Sequence, residues 1–198
     1  MTCIAIIPAR GNSRRIPRKN IKMFHGKPII AYSIEAAKMM TDDYKFDVIV
    51  VSTDDAEIAK VSEQYGAMVQ WREAEYCHDD VGTQRVAKHV LWKMKAHQLD
   101  HVAVIYATSP LMSAYDLGEG MRISRAMHFN FAMSVGTNPL SDAGQFYCGH
   151  AAAFYRSSEL ISPYTAMIPI SEDRVCDINT PEDFARAEQM YADLQEKK

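Results

Sequence analysis

Short apolar runs alternate with amphipathic stretches along the chain, and this alternation constrains the fold more than any other feature. The short runs are β-branched or aromatic and are bounded by turn residues, which predicts buried strands at Ile4–Ile7, Val48–Val51, Val102–Tyr106 and Phe131–Val135. The stretches between them repeat apolar residues every three or four positions, which predicts helices over Ile29–Met40, Ala56–Tyr65 and Val86–Met94, and a last helix from Pro181. This order predicts an α/β fold in which helices cover both faces of a mostly parallel sheet.

Length and charge narrow the classes of function. The chain has 198 residues, 47% hydrophobic and 24% charged, so we expect one domain spanning residues 1–198. The net charge of −3 gives no bulk attraction to nucleic acid or to a membrane, and we expect neither as a partner. No apolar segment approaches the roughly 20 residues that span a bilayer. The four cysteines form no C-x-x-C pair and no leader pattern precedes Ile4, so we expect a cytoplasmic protein.

A basic segment follows the first predicted strand directly. Residues 8–20 contain no acidic residue and five cations: Arg10, Arg14, Arg15, Arg18 and Lys19. Ligands of open α/β sheets bind outside the carboxyl ends of strands, where this segment lies. Gly11, Asn12 and Ser13 supply a tight turn with exposed N–H groups, and arginines bind phosphate oxygens in pairs. Because neither G-x-G-x-x-G nor G-x-x-x-x-G-K-[ST] is present, the segment predicts a phosphate loop of another type. The alternatives are a solvated basic loop or a nucleic-acid patch.

Four ordered motifs carry a resemblance to one enzyme family. The loop Ala9–Asn20 is similar to a signature of the form A-R-x-x-S-K-x-[IL]-P-x-K-N, with Arg14 where lysine is usual. Residues 51–55, 108–111 and 177–180 match further motifs in the same order. On these residues the chain resembles the CMP-sugar synthetases, the cytidylyltransferases that activate nine-carbon acidic sugars. The block Asp142–Tyr147 is most similar to the members that act on pseudaminic acid, with the sialic acid and legionaminic acid enzymes as alternatives.

The resemblance implies a Rossmann-like nucleotidyltransferase fold, three-layered, and a reaction between CTP and a 2-keto sugar acid that releases pyrophosphate. The nucleotide-binding residues it implies are Ala9, Arg10, Gly11, Asn12, Ser13, Arg14, Lys19 and Arg72. The implied catalytic residues are Arg10, Lys19 and Asn20, and the implied sugar-binding residues are Tyr106, Thr108, Ser109, Gly144 and Gln145. Asp177 is the implied Mg²⁺ ligand. Asn179 stands where many relatives have a second aspartate, so the number of metal ions, one or two, stays open.

Several of these residues also have a simpler structural interpretation. Two glutamates follow Arg72 closely, so a local salt bridge is the alternative to a nucleotide contact. Asp177 precedes the last helix, so its alternatives are a loop residue or a cap of that helix, and Thr108 and Ser109 are placed to cap a helix that follows them. The rival functions are a catalytically silent nucleotide-binding module, favoured by Asn179, and an RNA-binding protein. The basic loop lacks the interleaved aromatic residues typical of RNA binders.

One region departs from the family pattern. In the family, a longer segment between the blocks that match Phe131–Val135 and Asp142–Tyr147 forms an arm, which helps to build a homodimer and closes over the partner's sugar site. Here only Gly136–Ser141 fill that space. Either the chain lacks the arm, or the sequence omits residues that belong to it. The resemblance implies a homodimer, and the short connection puts dimerisation and sugar affinity in question.

Overall fold

The computed structural model of the protein describes residues 1–41, 43–126, 128–157 and 159–197. The helices within these residues are α1 (Ile29–Lys38), α2 (Ala56–Gln64), α3 (Thr83–Lys93), α4 (Ala114–Arg125), α5 (Ala151–Arg156) and α6 (Pro181–Glu196). The strands are β1 (Cys3–Pro8), β2 (Met23–Phe24), β3 (Lys27–Pro28), β4 (Val48–Thr53), β5 (Met68–Trp71), β6 (His101–Ile105), β7 (Phe131–Thr137), β8 (Leu140–His150) and β9 (Thr165–Pro169). No helix in the described ranges is long and apolar enough to cross a membrane.

Seven of the described strands form one sheet in the order β5-β4-β1-β6-β8-β7-β9, while β2 and β3 form a separate small ribbon. Within the sheet only β8 runs antiparallel to its described neighbours. The parallel register places Ala5 of β1 opposite Ile49 of β4 and Ala103 of β6. The chain leaves β1 for β4 on one side and later returns to β6 on the other. A topological switch point therefore lies between β1 and β6.

Both faces of the sheet are covered by helices. In β1, Ala5 and Ile7 pack in one apolar cluster with α1, α2 and α4, while Ile4 and Ile6 pack in another with α3 and α5. Successive side chains of a strand point to opposite faces, and all four of these residues are at most 2% exposed. Burial on both faces explains why the strand is a continuous apolar run. The predicted three-layer α/β fold with a mostly parallel sheet is confirmed.

A third apolar cluster fixes the basic segment after β1. Ile16, in the middle of that segment, is 1% exposed and packs with Phe24 and with Phe184 of α6. The rings of Phe24 and Phe184 meet edge to face with their centroids 5.6 Å apart. Thr180 starts α6 with a capping box that includes Asp183, as the sequence predicts for the helix start. One buried isoleucine and the last helix therefore hold the charged loop against the carboxyl edge of the sheet.

Helix α4 is an element that the sequence pattern does not predict. Its two glycines, Gly118 and Gly120, are poor helix formers and obscure the periodicity. Gly120 allows the helix to approach β8, since a Cβ there would lie 2.5 Å from the Phe146 ring. Ser113 caps α4 by accepting a hydrogen bond from the Asp116 backbone N–H. The interpretation of Thr108 and Ser109 as the caps of this helix is therefore wrong.

Strands β7 and β8 are joined by a tight hairpin. The register pairs Thr137 with Leu140, so that Asn138 and Pro139 form the turn. A two-residue connection is a common link between antiparallel strands. In the described structure, the segment that matches the position of the family arm is therefore this turn. The sequence pattern also does not predict the short helix α5, the ribbon strands β2 and β3, or the edge strand β9.

Candidate active site

The predicted site residues converge at the carboxyl edge of the sheet, around the switch point between β1 and β6. The loop after β1 and the segment after β6 face a cavity of about 460 Å³. Eight predicted residues line this cavity: Arg10, Ser13, Arg14, Lys19, Asn20, Arg72, Tyr106 and Thr108. Cavities of this size, at this point of an open α/β sheet, bind small ligands.

The cavity also contains residues outside the predicted binding set, of which Arg15 belongs to the basic segment and Asn179 lies beside the implied metal ligand. These are Pro8, Arg15, Asp79, Val81, Gly82, Thr83, Val86, Ala107 and Asn179. More than half of them belong to residues 79–86, where α3 begins. Gly82 is the N-cap of α3 and provides no side-chain cap, so the first turn presents N–H groups that no N-cap side chain satisfies. The turn Asp79–Gly82 before a helical pattern is the sequence signal for this part of the site. It marks the N-terminus of a helix, and a helix N-terminus favours anions.

Aspartates that follow β4 fix the turn of the basic loop. The Gly11 N–H donates to Asp54 Oδ1 at 2.8 Å, and a Cβ at Gly11 would lie 2.6 Å from Asp55 Oδ2. Glycine is therefore needed here for the close approach of the two loops. Arg18 forms an ion pair with Asp55 at 2.5 Å, and this hydrogen bond lowers the pKa of the Asp55 carboxyl. Arg18 is thus neutralised within the protein and does not line the cavity.

Lys19 and Asn20 connect the loop to its surroundings. The Asn20 amide donates to the Arg10 carbonyl at 2.9 Å, and Asn20 is 9% exposed. Lys19 Nζ donates to the Ile178 carbonyl at 2.6 Å, and burial lowers the pKa of this ammonium group. Both side chains border the cavity while they tie the loop to itself and to the segment before α6.

Arg10 and Arg14 share one carboxylate. Arg10 Nη1 lies 2.5 Å from Asp79 Oδ1, and Arg14 Nη2 lies 2.8 Å from Asp79 Oδ2. Asp79 thus bridges the two arginines across the cavity from the segment before α3. The two cations lie a few ångströms apart around a single anion, an arrangement that also suits phosphate oxygens.

Arg72 lies just beyond the end of β5 and is held by β4. Its Nη2 donates to the Ser52 carbonyl at 2.7 Å and its Nε to Ser52 Oγ at 3.3 Å. Burial lowers the pKa of the guanidinium group. Glu73 forms its ion pair with Lys93, and neither Glu73 nor Glu75 pairs with Arg72 among the described contacts. The salt-bridge interpretation of Arg72 is therefore wrong.

An acidic rim lies beside the basic loop. The Asn179 amide donates to Asp177 Oδ2 at 2.5 Å, and Asn179 Oδ1 accepts a hydrogen bond from Arg15 at 2.8 Å. Asp177 is exposed, and a Cβ at Gly144 would lie 2.9 Å from its carboxylate. Thr180, not Asp177, caps α6, so the interpretation of Asp177 as a helix cap is wrong.

Asp142 is a second carboxylate on this rim and is absent from the predicted set. Its Oδ1 accepts the Gly144 N–H at 2.8 Å, and the Tyr106 hydroxyl donates to its Oδ2 at 3.5 Å. Burial and, to a smaller extent, the charge of Asp177 raise the pKa of Asp142. The hydrogen bond from the Gly144 N–H lowers this pKa, but the net shift is upward. Burial also raises the pKa of Tyr106 to about 12. The rim thus combines two carboxylates with a phenol that stays protonated.

Seven predicted residues do not line the cavity: Ala9, Gly11, Asn12, Ser109, Gly144, Gln145 and Asp177. Asn12 is exposed, and Ala9 is buried. Ser109 Oγ donates to the Gly144 carbonyl at 2.9 Å, and the Gln145 amide donates to the Arg174 carbonyl at 2.7 Å. Both side chains are at most 3% exposed. Ser109 and Gln145 therefore support the wall of the site from behind.

A larger groove of about 770 Å³ lies between α3 and α5. Trp92 and Phe154 contribute apolar surface to it, and Arg85 and Lys88 contribute charge. It contains none of the predicted site residues, and it does not reach the basic loop after β1. The smaller cavity is thus the candidate active site, since it combines the switch point, the loop cations and the start of α3.

The fold and this site define a nucleotide-binding α/β domain, and comparisons with known proteins identify its class. A family model described as "Cytidylyltransferase" matches residues 4–121. The chain is 33% identical to a pseudaminic acid cytidylyltransferase of Campylobacter jejuni, over 96% of this chain and 97% of that protein. It is 34% identical to a CMP-N,N'-diacetyllegionaminic acid synthase of Legionella pneumophila, over 63% of this chain and 54% of that protein. The chain belongs to the cytidylyltransferase family.

Solved structures share the fold. A CMP:2-keto-3-deoxy-manno-octonic acid synthetase complexed with CTP superposes with a TM-score of 0.78 and 14% identity, over 98% of this chain and all of the other. A 4-diphosphocytidyl-2C-methyl-D-erythritol synthase superposes with a TM-score of 0.71 and 11% identity, over 96% of this chain and 99% of the other. At these two sequence identities the likeness concerns the fold alone.

The alignment with the Campylobacter jejuni protein is longer than the chain itself. It extends over 227 positions, whereas the chain has 198 residues. The relative therefore contains residues that have no counterpart here.

Proposed function

We propose that this cytidylyltransferase transfers CMP from CTP to the anomeric hydroxyl of a nine-carbon 2-keto sugar acid, with pseudaminic acid as the substrate. The observation that carries the proposal is the cavity in which Arg10, Arg14, Lys19 and Arg72 face Tyr106 and Thr108. The lining of this cavity offers cations for a triphosphate and hydroxyl groups for a sugar.

The cations account for the nucleotide half of the reaction. The sugar hydroxyl oxygen attacks the α-phosphorus, the bond to the bridging oxygen of the β-phosphate breaks, and pyrophosphate leaves while the hydroxyl loses its proton. Such transfer depends mainly on positioning and on neutralising charge. Arg10 and Arg14 are placed to bind phosphate oxygens once they are free of Asp79, and Lys19 and Arg72 keep further positive charge at the cavity wall.

Neutral hydrogen-bonding groups and Asp142 account for the sugar half. Tyr106 and Thr108 line the cavity after β6, and the Tyr106 hydroxyl also contacts Asp142. Asp142 and Gln145 belong to the block that is most similar to the pseudaminic acid enzymes, and two pseudaminic acid cytidylyltransferases of Campylobacter jejuni match 96% of this chain. These observations favour pseudaminic acid over the sialic and legionaminic acids.

The carboxylates beside the cavity fit a Mg²⁺ ion. No group of three or more His, Cys, Asp or Glu suited to a metal ion occurs among the described residues, but Mg²⁺ needs only one or two carboxylates together with phosphate oxygens. Asp177 is exposed beside Gly144, and Asp142 accepts the N–H of the same glycine, so hard oxygen ligands are present. Asp177 would hold the ion, and Mg²⁺ would supply charge neutralisation of the phosphates. Asn179 already donates to Asp177 and accepts from Arg15.

The test is transfer of α-phosphate label from CTP to pseudaminate, legionaminate and sialate, each with Mg²⁺. We expect labelled product and pyrophosphate with pseudaminate, at the highest kcat/KM of the three. A higher kcat/KM with legionaminate or sialate would reassign the sugar. Binding of CTP without transfer to any of the three would show a silent nucleotide-binding module and overturn the proposal.

A matched pair of variants links this activity to the cavity. Arg10→Ala removes a cavity cation, whereas Arg122→Ala removes a cation from the surface of α4, where Arg122 pairs with Glu119. We expect Arg10→Ala to lower kcat/KM about tenfold to a hundredfold, the effect of losing a charge-assisted phosphate contact. Arg122→Ala should stay within about twofold of the wild type. Equal effects of the two substitutions would exclude Arg10 as a phosphate ligand.

The proposal includes a cytoplasmic homodimer of single-domain chains, residues 1–198, without the family arm. The two-residue turn between β7 and β8 supports a genuinely short connection. Light scattering of the purified protein measures the mass of the assembly, and the mass of a dimer is the expected result. The mass of a monomer would overturn the dimer proposal.

A further inference from the structure

The two arginines proposed to bind phosphate already have an anion. Asp79 places one carboxylate oxygen 2.5 Å from Arg10 and the other 2.8 Å from Arg14. Asp79 lines the same cavity as both arginines. It lies on residues 78–82, which connect the 3₁₀ turn Ala74–Tyr76 with α3 and reach the basic loop from the opposite wall. The carboxylate therefore occupies the arginine groups that a phosphate would need.

We propose that Asp79 is a displaceable internal anion: it neutralises Arg10 and Arg14 in the free enzyme, and a polyphosphate displaces it on binding. The ligand class is a di- or triphosphate, either free pyrophosphate or the phosphate tail of a nucleotide. That this nucleotide is CTP rests on the proposed function. The displacement itself rests only on the two ion pairs and on the shared cavity.

The strength of the two ion pairs is suited to displacement. The side chains of Asp79 and Arg10 are 38% and 33% exposed, and that of Arg14 is 75% exposed. Ion pairs with this exposure are weak, because water screens them. A polyphosphate brings several negative charges and oxygens on more than one phosphorus, so it can replace one carboxylate at both arginines. In the free enzyme, Asp79 keeps the like charges of Arg10 and Arg14 paired.

Residues 78–82 are held lightly by polar contacts. Among the described residues, the Asp79 ion pairs are the only side-chain hydrogen bonds or ion pairs that join this segment to the rest of the chain. A Cβ at Gly82 would meet nothing within 4 Å, whereas Val81 packs against the apolar cluster of α3 and α5, so the segment is open at Gly82 and anchored at Val81. Release of Asp79 therefore requires no rearrangement of other polar side-chain contacts.

A ligand that needs free Arg10 and Arg14 binds only the fraction of enzyme in which Asp79 does not block them. Its apparent affinity is reduced in proportion to that fraction. Asp79→Asn removes this competition. We expect it to tighten pyrophosphate and CTP by the same factor, roughly three- to tenfold, as measured by calorimetry without sugar. Cytidine has no phosphate, so its affinity should not change. Asp80→Asn is the matched control, because it makes the same change of charge one residue away, and it should stay within about twofold of the wild type.

Opposite results would overturn the proposal. Weaker or unchanged pyrophosphate binding by Asp79→Asn would show that Asp79 orients the arginines or is inert. Equal tightening by Asp80→Asn would show a general effect of charge. Failure of all three proteins to bind pyrophosphate would show that Asp79 guards no phosphate site.

These measurements separate the proposal from the proposed function. Absence of CMP transfer to every sugar acid overturns the function alone. The pyrophosphate affinities of the wild type, Asp79→Asn and Asp80→Asn then still decide the role of Asp79.

Discussion

Gly144→Ala is the substitution that most directly tests the geometry of the acidic rim. Gly144 has φ +65°, in the left-handed region, where an alanine costs about 1–2 kcal/mol. A Cβ there would also lie 2.9 Å from the Cβ, Cγ and Oδ1 atoms of Asp177. The backbone of Gly144 has little freedom to retreat, because its N–H donates to Asp142 and its carbonyl accepts from Ser109.

The expected effect on activity follows from these distances. Carbon atoms pack at about 3.5–4.0 Å, so Asp177 has to move by roughly 0.6–1 Å to accommodate the new methyl group. A displacement of about 1 Å in a phosphoryl-transfer site lowers the rate by about a hundredfold. We therefore expect Gly144→Ala to lower kcat/KM by about that factor. We also expect it to raise the Mg²⁺ concentration required for half-maximal activity.

Gly26→Ala separates the local geometry from the backbone cost. Gly26 has φ +88° and nothing within 4 Å of an added Cβ. It should therefore lose similar backbone stability in urea unfolding, about 1–2 kcal/mol, while kcat/KM and the Mg²⁺ titration stay within about twofold of the wild type. The reasoning is refuted if Gly144→Ala behaves like Gly26→Ala, losing stability while Mg²⁺ dependence and kcat/KM are unchanged.

Three further predictions concern packing, the nucleotide and pH. In α4, Gly120→Ala should lower the free energy of unfolding in urea by about 1–3 kcal/mol, because its Cβ would lie 2.5 Å from Phe146. Gly118→Ala, whose Cβ would have its nearest neighbour at 3.9 Å, should raise that free energy by up to about 1 kcal/mol. Equal changes would contradict the packing argument. Arg72→Ala should raise the KM for CTP about tenfold, and an unchanged KM would assign Arg72 a purely structural role. Burial lowers the pKa of His101 from its usual 6.5 to about 4, and this side chain is 8% exposed. The unfolded chain therefore takes up the proton first, and stability falls by at most about 3 kcal/mol as the pH drops from about 6.5 to about 4. His101→Leu should flatten this pH profile in urea unfolding, and a parallel profile would exclude His101 as its source.

The parts of the fold that sequence patterns predicted are those whose causes are local. The run Ile4–Ile7 is apolar at every position because both faces of its strand are buried, and such a run is visible in the sequence. The start of α6 is visible in the same way, because the Thr180 cap lies within a few residues of the bonds that it makes. Helix α4 was missed because Gly118 and Gly120 reduce the local helix signal. The reason for Gly120 is contact with Phe146 on a strand distant in sequence.

The same division holds in the candidate site. The cations and turn residues of the loop Ala9–Asn20 lie next to one another in the sequence, so their type and density predict phosphate binding. Arg10 and Arg18 are both cations of this loop, and each pairs with an aspartate in the structure, but of the two only Arg10 lines the cavity. This difference depends on where the end of β4 lies.

The sequence by itself determined the α/β class and the basic loop, since each is carried by residues close together in the chain, and it carried the family resemblance in four short motifs. Only the tertiary structure decided that Asp79 meets Arg10 and Arg14, and that Gly144 lies against Asp177 on the rim. These contacts join segments that are distant in the sequence and are brought together by the strand pairing of the sheet. A sequence pattern records the chemistry of each segment but not the distance between them. That distance is set by the common burial of the strands, which places their carboxyl ends at one edge.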